Sequence, residues 1–409
     1  MEKRSFLLNE AISDALDAGS SCQVALLTPP GRGAIATLAL AGPAATVLLG
    51  RCFVARGGRK VAQLPIRRIV FGNWIDPRAC GESQGDASSD IGEEVVVCRY
   101  APDRYEVHCH GGQAAWQRIL RSLTSQGATI QEPAAWLTRQ ATDAIQAAAA
   151  RALTETRTAR TAAILLDQYQ GALGRAIAEL AREIDSAAPA ATGPSLLGKL
   201  ERLVEASPAG LHTTQPWRVV LTGLPNVGKS QLANAVLGFD RCVVLDQPGT
   251  TRDVVATLTA LDGWPVELYD TAGLRATEEE IEAAGVARAR TQLDQADLIL
   301  LVIDSHDPGW NTELENVARR SNVLLVWNKA DLVPATETHR ERLFISARTG
   351  FGIDQLLSTI VRRLLPVPPE PGEAVPFTAE QVTRIRTASE WLKNGDHARA
   401  ADSLRSLLR

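Results

Sequence analysis

Long apolar runs are missing from this sequence of 409 residues. Its longest purely aliphatic stretch, residues 298–303, is far shorter than the roughly 20 residues that a helix needs to cross a bilayer. Residues 1–19 include early basic residues but no continuous apolar core, so they lack the pattern of a secretory signal peptide. We therefore expect a cytoplasmic protein with no membrane contact.

Cysteine pairing and a strong net charge are absent as well. The six cysteines form no Cys-x-x-Cys pair and have no regular spacing, which is typical of thiols in a reducing compartment. A net charge of −4 gives the whole chain no attraction to nucleic acid, so any RNA contact has to be local. The hydrophobic content of 45% and the length predict two or three domains with cores of their own.

One segment has a strongly positive local charge, unlike the chain as a whole. Residues 51–68 contain six basic residues and no acidic one. Such a run is either an RNA-facing patch or the solvated edge of a β-rich domain, and the second is the commoner. The sequence leaves both interpretations open.

The most specific motif is Gly223-Leu-Pro-Asn-Val-Gly-Lys-Ser230, which has the phosphate-loop pattern G-x-x-x-x-G-K-S. Residues 217–222 predict a buried strand before it, and residues 231–237 predict a helix after it. The glycines allow a tight turn that directs backbone N–H groups at phosphates, and the helix N-terminus adds a favourable dipole. Lys229 would reach the β- and γ-phosphates, and the Ser230 hydroxyl would bind Mg²⁺.

A second motif is expected to complete the phosphate and metal side of the site. It is Asp270-Thr-Ala-Gly273, at the end of the strand predicted for residues 266–270. Asp270 can hold the metal ion through a water molecule, and the Gly273 N–H can meet the γ-phosphate.

Two later motifs predict that the base is guanine. Asn328-Lys-Ala-Asp331 and Ser346-Ala-Arg348 each follow a short predicted strand. The Asp331 carboxylate can accept from guanine N1–H and the 2-amino group, whereas adenine has neither donor and would leave the carboxylate unpaired. Asn328 and Lys329 would brace the loop and cover the base, and the Ala347 N–H could meet guanine O6.

This ordered set resembles the nucleotide-binding domain of the translation-factor-like GTPases. Asn226 inside the phosphate loop, Gly249-Thr-Thr-Arg-Asp253 and Asp270-Thr-Ala-Gly-Leu-Arg275 resemble more closely the MnmE (TrmE) family of tRNA-modifying GTPases. The Era and EngA GTPases share parts of the pattern. Residues 28–33, Thr-Pro-Pro-Gly-Arg-Gly, resemble the start of the MnmE N-terminal domain.

The resemblance implies that the chain binds GTP and GDP together with Mg²⁺. The implied nucleotide-binding residues are Asn226, Val227, Gly228, Lys229, Ser230, Gln231, Thr250, Thr251, Asp270, Gly273, Asn328, Lys329, Asp331, Ser346, Ala347 and Arg348. Ser230 and Thr251 would bind the Mg²⁺ directly, and Asp270 through water.

The resemblance also implies an unusual way to activate hydrolysis. Many small GTPases place a Gln directly after Asp-x-x-Gly to orient water, but this sequence has Leu274 there. MnmE proteins use K⁺ between dimerised nucleotide domains, and the implied K⁺ site consists of Asn226, Leu245, Gln247 and Thr250.

The implied catalytic residues are Lys229 and Glu282. Glu282 begins the family's Glu-x-x-Gly pattern, but Glu278, Glu279 and Glu280 lie nearby. The residues alone therefore leave open which carboxylate acts and favour a solvated helix face for such a run, whereas the resemblance favours Glu282.

The expected architecture is an α/β P-loop GTPase domain inserted in a helical bundle and preceded by a small α+β N-terminal domain of the folate-binding type. We assign residues 1–130 to the N-terminal domain, residues 131–216 and 366–409 to the helical domain, and residues 217–365 to the GTP-binding domain. Apolar residues at steps of three and four predict one helix face across Leu166, Tyr169, Leu173, Ile177, Leu180 and Ile184. Thr378 and Gln381 predict a capping box for a helix that ends before Gly395.

The expected function is GTP hydrolysis in the modification of the tRNA wobble uridine, in a homodimer that reaches tRNA through an MnmG-type FAD protein. The alternative is a GTP-dependent switch, or a ribosome-associated GTPase, without that chemistry. Departures from the family pattern bear on the choice, among them the absence of a recognisable Phe-Leu-Asn-Gly-Lys stretch near residues 136–147. MnmE proteins end in Cys-Ile-Gly-Lys where this sequence reads Ser406-Leu-Leu-Arg409, and Ala39-Leu-Ala-Gly42 replaces a stretch with a charged contact near folate. The sequence therefore predicts GTP binding but leaves uridine chemistry and folate binding open.

Overall fold

The computed structural model describes residues 21–28, 33–75, 92–139, 141–186, 194–238, 242–244, 256–270, 290–333 and 342–409. The chain divides into two compact units, Met1–Gln140 and Ala141–Arg409. Across these described ranges, no helix is both long and apolar enough to span a membrane.

The first unit contains a mixed sheet with helices. Its described strands are β1 (Cys22–Leu26), β2 (Ile35–Ala41), β3 (Phe53–Ala55), β4 (Ile69–Trp74), β5 (Glu93–Ala101), β6 (Arg104–His110) and β7 (Ala128–Ile130). They lie in the order β3-β4-β5-β6-β2-β1-β7. Strands β1 and β7 are parallel, and the other neighbours are antiparallel.

One face of this sheet forms the core of the first unit. Helices α1 (Ala45–Cys52) and α2 (Gln113–Thr124) supply apolar residues to the same core as the inward side chains of the strands. Trp74 is fully buried there, and its indole N–H donates to the Ser122 hydroxyl at 2.8 Å. On the other face, Trp136 of α3 (Pro133–Thr138) packs in a cluster with Ala25 and Ala39.

The second unit contains the sheet that carries the phosphate loop. Its described strands are β8 (Trp217–Thr222), β9 (Cys242–Val244), β10 (Ala256–Leu261), β11 (Trp264–Asp270), β12 (Leu298–Asp304), β13 (Val323–Asn328) and β14 (Leu343–Phe344), in the order β14-β13-β12-β8-β11-β10-β9. The five neighbouring strands from β14 to β11 are parallel, and β10 pairs in an antiparallel manner with both β11 and β9. The prediction of an α/β P-loop domain is thereby confirmed, and the motifs follow the carboxyl ends of these parallel strands, where such sheets bind ligands.

The described helices of the second unit precede the strands of this sheet in the sequence, alternate with them and follow them. They are α4 (Ala144–Leu153), α5 (Ala159–Tyr169), α6 (Ala172–Ser186), α7 (Pro194–Leu211), α8 (Lys229–Leu237), α9 (Thr312–Ala318), α10 (Ile353–Leu364), α11 (Ala379–Lys393) and α12 (His397–Arg405). Helices α4 to α7 share one buried apolar cluster with α11 and α12. The predicted capping box at Thr378 and Gln381 is confirmed at the start of α11.

The prediction of one helix face from Leu166 to Ile184 is wrong at its start. Helix α5 ends at Tyr169, and Gly171 has φ of 93°, a left-handed conformation that an α-helix does not contain. Leu166 is 44% exposed, whereas Leu173 and Ile177 are fully buried. The chain therefore turns at Gly171, and the predicted residues lie on two helices: α5 faces the core through Leu165 and not Leu166, and α6 through Leu173 and Ile177.

A tight turn of the nucleotide sheet is in contact with helix α5 and the residue that caps it. Asp262 and Gly263 connect β10 to β11 with φ of 49° and 76°, the left-handed pair that suits a two-residue hairpin turn. Thr158, which caps α5, donates its hydroxyl to the Gly263 carbonyl at 2.6 Å. Arg160 lies 3.2 Å from the Asp262 carboxylate. The tip of this hairpin is thus held while its other end carries Asp270.

We expect Ile177→Ala to lower the free energy of unfolding by about 2–5 kcal/mol, because it removes a fully buried side chain and leaves a cavity. Leu166→Ala, on an exposed position only a few turns away, should change it by about 0.5 kcal/mol or less. Urea denaturation followed by circular dichroism measures both variants. Equal losses in the two variants would contradict the division at Gly171.

Candidate functional site

The phosphate loop requires glycine at both ends. Gly223 and Gly228 have φ of 145° and 95°, which other residues rarely adopt. A Cβ atom on Gly223 would fall on the Val302 carbonyl oxygen, and one on Gly228 would fall on the side-chain amide of Asn328. Asn226, between them, has φ of 64° and is exposed. No residue with a side chain can therefore replace Gly223 or Gly228 in the loop between β8 and α8 without moving its neighbours.

Lys229 lies beneath this loop at the first residue of α8. Its ammonium group donates to the carbonyl oxygens of Gly223 at 3.0 Å and Leu224 at 2.8 Å. The residue is only 7% exposed. These two contacts set the positive charge against the inside of the loop, where anion-binding N–H groups gather at a helix N-terminus.

Two oxygen-bearing side chains meet beside Lys229. The Ser230 hydroxyl donates to an Asp270 carboxylate oxygen at 2.6 Å, so residues from α8 and the end of β11 are adjacent. Hydroxyl and carboxylate oxygens are ligands that suit Mg²⁺. In the same stretch, Val227 is buried and Gln231 is exposed on the first turn of α8.

Asn328 connects the phosphate loop with the base-side loops. It ends β13, is 1% exposed, and donates its side-chain amide to the Val227 carbonyl at 2.8 Å. Its side-chain oxygen accepts from the Ala347 N–H at 3.0 Å. The Ala347 N–H, which the sequence predicts to meet guanine O6, thus donates in this structure to the side chain of Asn328.

Asp331 has defined partners on both carboxylate oxygens. The Ser346 hydroxyl donates to one oxygen, and the Arg348 guanidinium donates to the other through Nε at 3.1 Å and Nη2. The Ser346 hydroxyl first, and then Arg348, hold the pKa of Asp331 below its usual value. The carboxylate therefore stays ionised at neutral pH and is oriented by the Ser346-Ala347-Arg348 segment.

Sequence reasoning missed one residue of the site, Asp304. Lys329 has φ of 62°, and its ammonium group donates to the Asp304 carboxylate at 2.6 Å. Burial raises the pKa of Asp304, but the hydrogen bond and positive charge of Lys329, together with the backbone N–H groups of His306 and Asp307, outweigh it and the pKa is lowered. Asp304 ends β12 directly opposite Asn328 in the parallel register, and an acidic residue at the end of an apolar strand was the available signal.

The remaining assigned residues lie outside the described ranges. They are Leu245, Gln247, Thr250, Thr251, Gly273 and Glu282, together with Glu278, Glu279 and Glu280. The structure thus brings together Ser230 with Asp270, and Asn328 with Ala347, while Asp331 meets Ser346 and Arg348.

Comparison with known proteins identifies the same chemistry. A family described as "50S ribosome-binding GTPase" matches residues 218–329. A tRNA modification GTPase MnmE of Geobacillus thermodenitrificans is 33% identical over 359 residues, covering 79% of this chain and 76% of the relative. The MnmE of Symbiobacterium thermophilum is 32% identical over 422 residues, covering 92% and 89%.

Solved structures of GTPases also match part of the chain, as one example shows. Aquifex aeolicus Era, bound to GDP and aluminium fluoride, is 27% identical and is matched over 42% of this chain and 65% of its own, with a TM-score of 0.28.

The relatives at 32–33% identity cover more than three quarters of both lengths, and the GTPase family match coincides with the sheet that holds the site. The chain is therefore a GTPase that binds GTP and GDP with Mg²⁺, and it belongs to the MnmE family of tRNA modification GTPases.

Proposed function

We propose that this GTPase supports modification of the tRNA wobble uridine together with an MnmG-type FAD protein. The relatives that match most of the chain are named tRNA modification GTPases. Modification driven by GTP requires binding and hydrolysis of the nucleotide, and the geometry of the site supports both. The partner and the tRNA are parts of this proposal.

One observation carries the nucleotide part of the proposal, namely the buried bridge made by Asn328. Because its side chain bonds to Val227 and Ala347 at once, the phosphate loop and the base-side loop are held at a fixed separation. A ligand that satisfies both loops needs phosphates at one end and a hydrogen-bonding base at the other. We propose that Asp331 reads guanine N1–H and the 2-amino group, with Ser346 and Arg348 orienting its carboxylate.

The metal part of the proposal rests on Ser230 and Asp270. Their adjacent oxygens fit Mg²⁺, and Thr251 is proposed as a further ligand. When bound, Mg²⁺ would neutralise negative charge on the phosphates, held by Ser230 and Asp270. Lys229, held under the loop, binds and orients the β- and γ-phosphates from the other side.

We propose K⁺ as the second cation, at Asn226, Leu245, Gln247 and Thr250, with Glu282 orienting water. The support is chemical: Leu274 replaces the Gln that orients water in many GTPases, so another group has to do this work. A cation close to the β/γ bridge would offset charge on the leaving group. The site would form where two nucleotide domains meet in a homodimer.

The domain arrangement that we propose is the one that the resemblance to the MnmE family implies. We infer that the nucleotide domain, residues 217–365, is inserted in one helical bundle, and that an N-terminal domain precedes it. The shared apolar cluster of α4 to α7 with α11 and α12 supports this plan, because segments on both sides of the insertion contribute to it.

A second candidate function is a GTP-dependent switch that binds the ribosome without tRNA chemistry. The description of the matching family, a 50S ribosome-binding GTPase, favours it for the nucleotide domain. The two functions differ in the partner that the GTP-bound state would recruit.

The Asp331→Asn variant tests guanine recognition. Its amide should lower the preference for GTP over xanthosine triphosphate by at least about a hundredfold, because xanthine offers a carbonyl where guanine has its 2-amino group. Competition binding with a fluorescent nucleotide measures this ratio. Asp402→Asn, on an exposed helix position, should keep the original preference. An unchanged ratio in Asp331→Asn would remove Asp331 from base recognition.

Turnover in potassium and in sodium tests the proposed cation. We expect faster hydrolysis in potassium, and a rate per chain that rises with protein concentration because two nucleotide domains must meet. Asn226→Gly keeps a residue that tolerates the φ of 64° but removes the side-chain oxygen, so it should lower only the potassium-dependent rate. Equal rates in the two salts would show that K⁺ has no role here.

Gene deletion and a pull-down distinguish the two functions. We expect unmodified wobble uridines in tRNA from the deletion strain, and recovery of an MnmG-type protein with the chain loaded with a non-hydrolysable GTP analogue. Lys229→Ala, which lacks the phosphate-binding ammonium, is the control for nucleotide dependence. Unchanged wobble uridines combined with recovery of ribosomal proteins would favour the ribosome-associated function.

A further inference from the structure

We propose that the first unit binds RNA directly, through the basic strip formed by Arg51, Arg56, Arg59, Lys60, Arg67 and Arg68 together with the ring of Phe71. The inference deepens the proposed function and depends on it for the identity of the RNA. It gives the chain its own contact with a structured RNA, in addition to any contact that a partner provides.

The fold sorts this segment so that its cations face outward. All six basic side chains of the strip are exposed, whereas Phe53, Val61 and Leu64 from the same stretch are buried in the core. No acidic residue occurs between positions 51 and 75. Because the whole chain has a net charge of −4, this segment is locally positive in an otherwise acidic protein.

Contacts with neighbouring strands hold the strip in place. The Arg99 guanidinium of β5 donates to the Ala62 carbonyl at 2.8 Å, and the Arg67 N–H donates to the Arg99 carbonyl at 2.7 Å. The Arg56 N–H donates to the Phe71 carbonyl at 2.9 Å. A positive surface that is already ordered loses less conformational entropy on binding than a flexible tail would.

An aromatic ring lies among the cations. The Arg56 guanidinium is 5.4 Å from the centre of the Phe71 ring, and Phe71 is 36% exposed on the outer face of β4. Ile69, two residues earlier and on the same face, is 74% exposed. An exposed ring beside arginines is the arrangement on which unpaired bases stack while cations contact the phosphates.

Charge selects RNA over a second copy of the chain as the occupant. A two-fold contact of this strip with itself would place cations against cations, which is unfavourable. Spaced cations without intervening carboxylates complement a phosphate backbone, and the ring complements a single-stranded loop. We therefore expect an RNA hairpin with an unpaired loop to bind better than a blunt RNA duplex of equal length.

Fluorescence anisotropy with these two labelled RNAs and the full-length chain tests the proposal. The strip variant carries Arg56→Gln, Arg59→Gln, Lys60→Gln and Arg68→Gln. The matched control removes four exposed arginines of the second unit, with Arg151→Gln, Arg157→Gln, Arg363→Gln and Arg386→Gln. We expect the strip variant to bind the hairpin at least about tenfold more weakly, with a salt dependence of log K shallower by about 3. The control should retain both values.

Phe71→Leu separates stacking from charge. It keeps an apolar side chain but removes the ring, so affinity for the hairpin should fall about fivefold while the salt dependence is unchanged. Circular dichroism and GTP turnover, which depend on the core and the second unit, should match the unaltered chain in every variant.

Hairpin binding by the strip variant equal to that of the unaltered chain, or an equal loss in the control, would overturn the proposal. Loss of partner-protein capture by the strip variant, with RNA binding intact, would identify the strip as a protein contact and overturn it too. Wobble uridines unchanged by gene deletion, with strip-dependent hairpin binding, would instead refute the proposed function and leave the RNA surface standing.

Discussion

The site depends on one buried side chain, that of Asn328. It donates to the phosphate loop and accepts from the base-side loop, and almost none of it is exposed. Removing such a bridge would leave buried backbone groups unpaired, at a cost of about 1–3 kcal/mol for each. The requirement for glycine at position 228 arises from the same packing, because a Cβ atom there would fall on the Asn328 amide. Phosphate binding and base selection are thus consequences of one local arrangement.

The parallel sheet supplies the frame for that arrangement. Strands β8, β11, β12 and β13 run in the same direction, so the residues that follow them meet at one edge. Ser230 meets Asp270 there, and Lys329 meets Asp304 close by. At the far end of β11, the Asp262–Gly263 turn is held by Thr158 and Arg160. The strand that ends in the proposed metal ligand Asp270 is therefore anchored at its other end to the helical segments.

Chemistry confined to a few consecutive residues could be predicted from the sequence. The phosphate loop and the Thr378 capping box needed only spacing and residue type, and the parallel frame followed from alternating strand and helix patterns. Long-range contacts could not be predicted in this way. The Lys329–Asp304 pair joins the residue after β13 to the end of β12, and Arg99 donates to the basic strip across more than thirty positions. The turn at Gly171 was missed because apolar spacing continues across it, while only the backbone angle shows the break.

The most direct test of the central claim is calorimetric titration of the nucleotide-free protein with GTP, GDP and ATP in the presence of Mg²⁺. An ordered phosphate loop joined through Asn328 to a guanine-reading Asp331 predicts binding heat with GTP and GDP, and none with ATP. Equal binding of ATP would contradict the assigned base site. No heat with either guanine nucleotide would contradict the account of the site as a whole.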